Sequence, residues 1–114
     1  MTLISLAASE RLARGSPGDV EATGITSHVF TREGNRAFSK STFKLPSTTS
    51  AVWTRVAFYD GNGARLVLSK WVNRGSGNPY QTFIYTWYFD HPRARRALVL
   101  WFMNGDTWRS WAPR

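Results

Sequence analysis

The chain has 114 residues, of which 42% are hydrophobic and 15% aromatic, six of them Trp. This suits one domain with an ample core and is too polar for a chain built to cross a bilayer. The absence of Cys excludes disulfides, thiolate metal sites and a cysteine nucleophile, and fits a reducing compartment. A formal charge of +8, carried by 12 Arg and only 3 Lys, calls for a polyanionic partner, because so much like charge repels itself in a compact state. Arg also supplies the flat fork suited to phosphates and base edges.

Along the chain, Thr2–Ala7 reads as a short strand. Met1–Ser9 lacks a basic leader, which makes it a poor signal peptide, and it is too short to span a membrane. Ala8–Gly18 is polar and turn-rich, and Val20–Phe30 alternates loosely as one or two strands with Gly24 as a break. After a turn at Glu33-Gly34-Asn35-Arg36, Ala37–Leu45 is a further strand ended by Pro46. Val52–Tyr59 and Ala64–Val72 form a hairpin about Asp60-Gly61-Asn62-Gly63, where Gly and Asn accept positive φ cheaply. Asn73–Pro79 is a loop, and Tyr80–Phe89, almost wholly aromatic, Thr or Ile, has the strongest strand composition in the chain.

At Asp90 the pattern changes. Asp90 or His91 can cap a helix, Pro92 suits its first turn, and Asn104-Gly105 suits its end. Ala94, Ala97, Leu98, Trp101 and Phe102 share a face at spacings of three and four, so Arg93–Met103 reads as a helix. Asp106 then caps a short final turn containing Trp108 and Trp111. Strands followed by helices predict an α+β fold: an antiparallel sheet of five to seven strands with one or two C-terminal helices. The single domain spans 1–114, divided into N-terminal strands (1–36), main sheet (37–89) and helical C-terminus (90–114).

One helix cannot cover a sheet face of this size. Phe83, Tyr85, Trp87 and Phe89 share one face and demand burial, either under this chain's own elements or under the helix of a second copy. The candidate dimer interface is therefore Phe83, Tyr85, Trp87, Leu98, Trp101 and Phe102. Thr82, Ile84, Thr86 and Tyr88 point the other way. Placed beside Arg55 and Tyr59 on one strand and Arg65, Ser69 or Lys70 on the next, they make a face of hydroxyls, cations and rings, as single-stranded RNA requires. An ordinary solvated sheet face is the competing reading.

In this order the elements resemble the coat proteins of single-stranded RNA bacteriophages, the leviviral family. Three stretches carry the resemblance: Ser41–Ser50 with Val52–Val56, which look like that family's central strands; Pro79–Phe89, like its last long strand; and Asp90–Leu100, like the turn and helix that follow. They cover roughly the last two thirds of the chain. The segment before the last strand is short for the family, as is the second helix. The resemblance implies an intertwined homodimer with a continuous sheet, assembling into an icosahedral shell that binds single-stranded genomic RNA. It also implies an operator hairpin by which replicase translation is repressed. The RNA contacts would be Arg55, Tyr59, Arg65, Lys70, Thr82, Thr86 and Tyr88, and the loops Asp60–Gly63 and Asn73–Asn78 would meet neighbouring dimers. The protein would reside in the virion, and in the bacterial host cytoplasm during assembly.

Catalytic chemistry is not indicated. His28 and His91 are the only imidazoles, no Ser lies in a nucleophile elbow, and Gly61-Asn62-Gly63 lacks the Lys and helix of a phosphate loop. Arg93, Arg95 and Arg96 read as a solvated helix face or as contacts to RNA phosphate or an intersubunit carboxylate. No cofactor, metal, membrane or small-molecule substrate is expected. Two other classes stay open: a carbohydrate-binding module with Trp53, Trp71 and Trp87 as a stacking platform, and a small basic phage or bacterial inhibitor protein.

Overall fold

The computed structural model describes Glu10–Leu12 and residues 23–114. The predicted Thr2–Ala7 strand lies outside these residues. Among the described residues nine strands follow one another: β1 (Glu10–Leu12), β2 (Gly24–Glu33), β3 (Arg36–Lys44), β4 (Thr49–Tyr59), β5 (Arg65–Leu68), β6 (Val72–Gly77), β7 (Thr82–Asp90), β8 (Arg96–Met103) and β9 (Asp106–Ala112). They form two sheets. One runs β1-β9-β8-β4-β5, with β6 also on β4, and the other is β2-β3-β7. The fold is an all-β sandwich.

The α+β expectation is thereby overturned, because the residues read as C-terminal helices form the β8–β9 hairpin. Ala97–Trp101 is an unbroken buried run at the centre of the larger sheet, between β4 and β9. A strand buried on both faces shows no two-residue alternation, and a short apolar run also satisfies helical spacings. Asn104 and Gly105, with φ of 49° and 82°, are the two positive-φ residues of a tight hairpin turn and not a helix stop. At Asp90–Arg93 the predicted helix cap is a turn, in which His91 Nδ1 accepts the Arg93 N–H at 3.0 Å. The loop read over Asn73–Pro79 is mostly β6, and the long return strand is the short β5.

The two sheets enclose the core. Inward-facing Ala37, Ser39, Ser41 and Phe43 on central strand β3 are all buried, and three of them are small. That leaves room for the large rings opposite: Trp101 stacks on Phe43 with centroids 5.1 Å apart, and its Nε1 donates to Ser41 Oγ at 2.9 Å. Phe83, Tyr85 and Trp87 pack against this cluster, and Phe30, Trp87 and Phe89 against a second one around Val56 and Phe58. The six-stranded sheet of the same chain thus covers the aromatic row of β7, so of the two coverings open in the sequence it is the chain's own elements that bury it. Leu98 and Trp101, expected at a dimer interface, are 2% and 0% exposed within this single chain, while Phe102 lies on the far side of the larger sheet, against Trp71.

Candidate functional site: the outer face of the three-stranded sheet

The registers of β2, β3 and β7 fix what this face presents. Side chains alternate along each strand, so the inward positions of β3 and β7 leave Arg36, Phe38, Lys40, Thr42 and Lys44 outward on one and Thr82, Ile84, Thr86, Tyr88 and Asp90 on the other. Pairing aligns them in rows. Thr31, Phe38 and Tyr88 form one, Val29, Lys40 and Thr86 the next, and Ser27, Thr42 and Ile84 a third. Lys44 lies beside Thr82 at one end, and Glu33, Arg36 and Asp90 close the other.

Four large apolar side chains are at least half exposed among the described residues: Val29 (50%), Tyr80 (55%), Ile84 (53%) and Tyr88 (61%). Three lie on this face, and Tyr80, in the turn before β7, stands at its edge with Lys44 Nζ 5.8 Å from its ring centroid. The Arg36 guanidinium sits 4.5 Å from the Tyr88 ring centroid and forms a bidentate ion pair with Asp90 at 2.7 and 3.0 Å. Those hydrogen bonds hold the Asp90 carboxyl below its usual range and raise the guanidinium further. Lys40 and Lys44 have no carboxylate partner among the described residues. The result, among the described residues, is a sheet surface of rings, hydroxyls and two ammonium groups without carboxylate partners, with its acids confined to one end.

The residues predicted to bind RNA divide between the two outer surfaces of the sandwich. Thr82, Thr86 and Tyr88 belong to the face just described. Arg55, Tyr59 and Arg65 belong to the larger sheet, on strands β4 and β5, and Lys70 to the short link between β5 and β6, so the seven do not form one site. Arg55 is also committed internally: it donates to the Ser69 carbonyl at 3.2 and 2.9 Å and lies over Trp71. Desolvation, with Arg65 adding repulsion, lowers its pKa from the ordinary value. Tyr59 packs on Trp111, whose ring also carries the Arg96 guanidinium at 4.4 Å. Trp53 and Trp71 lie on this larger sheet's side whereas Trp87 points into the core, so the three make no common stacking platform.

Sequence reading missed Lys40, Lys44, Arg36 and Tyr80. The alternation Arg36-Phe38-Lys40-Thr42-Lys44 was visible, but its pairing with β7 was not. Arg93 and Arg95 belong to the β7–β8 turn, where Arg95 donates to the Pro92 and Ala94 carbonyls. Among the described residues no group of His, Asp and Glu is placed to hold a metal ion.

The sequence matches no family model and no curated protein. Among solved structures, the fold is similar to that in the "Crystal structure of hypothetical protein PH1083 from Pyrococcus horikoshii OT3", with a TM-score of 0.59 and 16% sequence identity over 87% of this chain and 92% of that one. At that identity the likeness concerns the fold alone.

Proposed function

We propose that this protein is a non-catalytic RNA-binding β-sandwich that holds single-stranded RNA on the outer face of its three-stranded sheet. The observation that carries the reading is that one sheet face bears the exposed ring of Tyr88 with Lys40 and Lys44, and has the exposed Tyr80 ring at its edge beside Lys44. Bases stack on rings whatever their sequence, ammonium groups meet phosphates, and Thr82 and Thr86 offer hydroxyls to base edges or 2′-OH groups. The net charge of +8 supports a polyanion over a neutral sugar.

The coat-protein resemblance enters this proposal only through RNA binding. Its helix-clasped dimer needs a helix after Asp90, where this chain has a turn and β8.

The test is a salt series of binding to a fluorescent single-stranded oligoribonucleotide. Each lost phosphate contact should lower the slope of log affinity against log salt by about 0.7. Lys40→Ala with Lys44→Ala should therefore lower it by about 1.4, and Tyr88→Ala should weaken binding by roughly 1–3 kcal/mol at every salt concentration. Unchanged slope and affinity in both folded variants would refute the assignment.

A further inference from the structure

From the geometry of the sheet edges, we infer that β7 is a self-association edge, at which a second copy of this chain pairs antiparallel to it. The inference does not rest on the RNA reading, although the dimer would cover part of Tyr88, one of the rings that reading uses. Among the described residues β7 pairs only with β3, and none of them forms a ladder with the row of N–H and C=O groups along its other side. Natural edge strands are blunted by charges, prolines, bulges or shortness. The other edges here carry such devices. β1 has three residues, β2 has a register break between Ile25 and Ser27 and bears Arg32 and Glu33, and the β5–β6 edge is interrupted and bulged. β7 runs nine residues in unbroken register, with no Pro and no charge before Asp90.

The strand's sequence favours its own copy as the occupant. With a two-fold axis at Thr86, the middle residue, Thr86 would face its own counterpart, and Ile84 would face Tyr88 of the partner subunit. Both of these side chains are more than half exposed in the single chain, and cross-strand pairing would cover them with each other, twice, by symmetry. Asp90, already paired with Arg36 of its own chain, would lie across from Thr82 of the partner subunit, so no like charges meet at the strand ends. A register moved by two residues would set Ile84 and Tyr88 against Thr or Asp side chains instead of each other. The product is a continuous six-stranded sheet.

Because the chain has no Cys, single cysteines report this register directly. In nuclease-treated, RNA-free protein at high salt, sedimentation velocity should show a concentration-dependent monomer–dimer equilibrium. Mild oxidation should convert Thr86→Cys to a disulfide dimer, since directly facing strand residues lie within disulfide reach. Thr31→Cys, exposed on the same face but at the opposite edge, should stay reduced. Ile84→Glu should raise the dimer dissociation constant at least roughly tenfold, by setting a charge against Tyr88. A wild type that sediments as a monomer up to several hundred micromolar (on the order of ordinary weak-dimer limits), or a Thr86→Cys that crosslinks no faster than Thr31→Cys, would overturn the inference. Monomeric protein that still binds RNA would overturn this inference alone.

Discussion

His28 shows how a single side chain can set the pH response of the molecule. It faces inward from β2, with Nε2 2.7 Å from the buried Ser39 Oγ, while Nδ1 is buried without a partner at hydrogen-bonding geometry. Burial lowers its pKa from 6.5 to about 4, partly offset by the Ser110 backbone. The folded state therefore keeps the ring neutral while the unfolded chain protonates it. The stability tied to neutral His28 is whole above pH 6.5, declines as pH falls from there, and is lost by about pH 4. At about 1.4 kcal/mol per pH unit, that interval amounts to roughly 3 kcal/mol at most. Urea unfolding at pH 7 and pH 4.5 should show this loss in the wild type and a much smaller one in His28→Gln. An equal loss in both would place the acid sensitivity elsewhere. Trp101 is a second decisive residue, since Trp101→Phe keeps an aromatic side chain but removes the partner of the buried Ser41 hydroxyl, at a cost of about 1–3 kcal/mol in denaturant unfolding, to which the cavity left by the smaller ring adds.

Among the elements, the β8–β9 hairpin depends on its turn. Asn104 adopts positive φ, its Nδ2 donates to the Thr48 carbonyl at 2.9 Å, and its Oδ1 accepts from Thr49 Oγ1 at 3.0 Å. It thus ties the hairpin tip to the start of β4. Asn104→Ala removes these bonds and places a Cβ residue without a local hydrogen bond in the left-handed region. We expect a loss of about 2 kcal/mol in denaturant unfolding, with Asn104→Gly recovering the backbone part. A loss below roughly 0.5 kcal/mol would mean the tip is held by β8–β9 pairing alone. Far-ultraviolet circular dichroism should be dominated by the β-sheet signal of these strands, without the paired minima that an Arg93–Met103 helix would add.

For the whole molecule, the sandwich sets Lys40 and Lys44 on one sheet and Arg65 and Lys70 on the side of the other, so the effects of charge removal should divide as well. Arg65→Ala with Lys70→Ala, on the side of the larger sheet, should leave the salt slope for single-stranded RNA nearly unchanged, whereas Lys40→Ala with Lys44→Ala lowers it. Equal effects would point to diffuse attraction by net charge and not to a face. The division reflects what the rings are doing. Rings on both sheets carry cations, but on the larger sheet Trp71, Trp111 and Tyr59 pack on Arg55, Arg96 and neighbouring rings, while on the smaller sheet Tyr88 and Tyr80 remain more than half exposed beside Arg36 and Lys44.

The two-residue alternation of Tyr80–Phe89 correctly divides β7 into an inner row, Phe83, Tyr85, Trp87 and Phe89, and an outer row, Thr82, Ile84, Thr86 and Tyr88. That much is local, because successive side chains of a strand must point to opposite faces. The turn at Asp60–Gly63 is local for the same kind of reason: Asp60 Oδ1 accepts the Asn62 and Ala64 N–H groups a few residues on. Composition also determines the positive charge and the absence of thiol chemistry. Which strands lie side by side is a different matter. Arg55 and Thr86 look like neighbours in a one-sheet arrangement, yet the chain crosses between layers, and β7 pairs with β3 while β4 pairs with β8. The strand nature of Arg96–Met103 was hidden because a segment buried on both faces shows no period of its own, so its conformation follows from the β4 and β9 ladders on either side. Local sequence decides what each strand can present. Only long-range pairing decides which presentations share a surface.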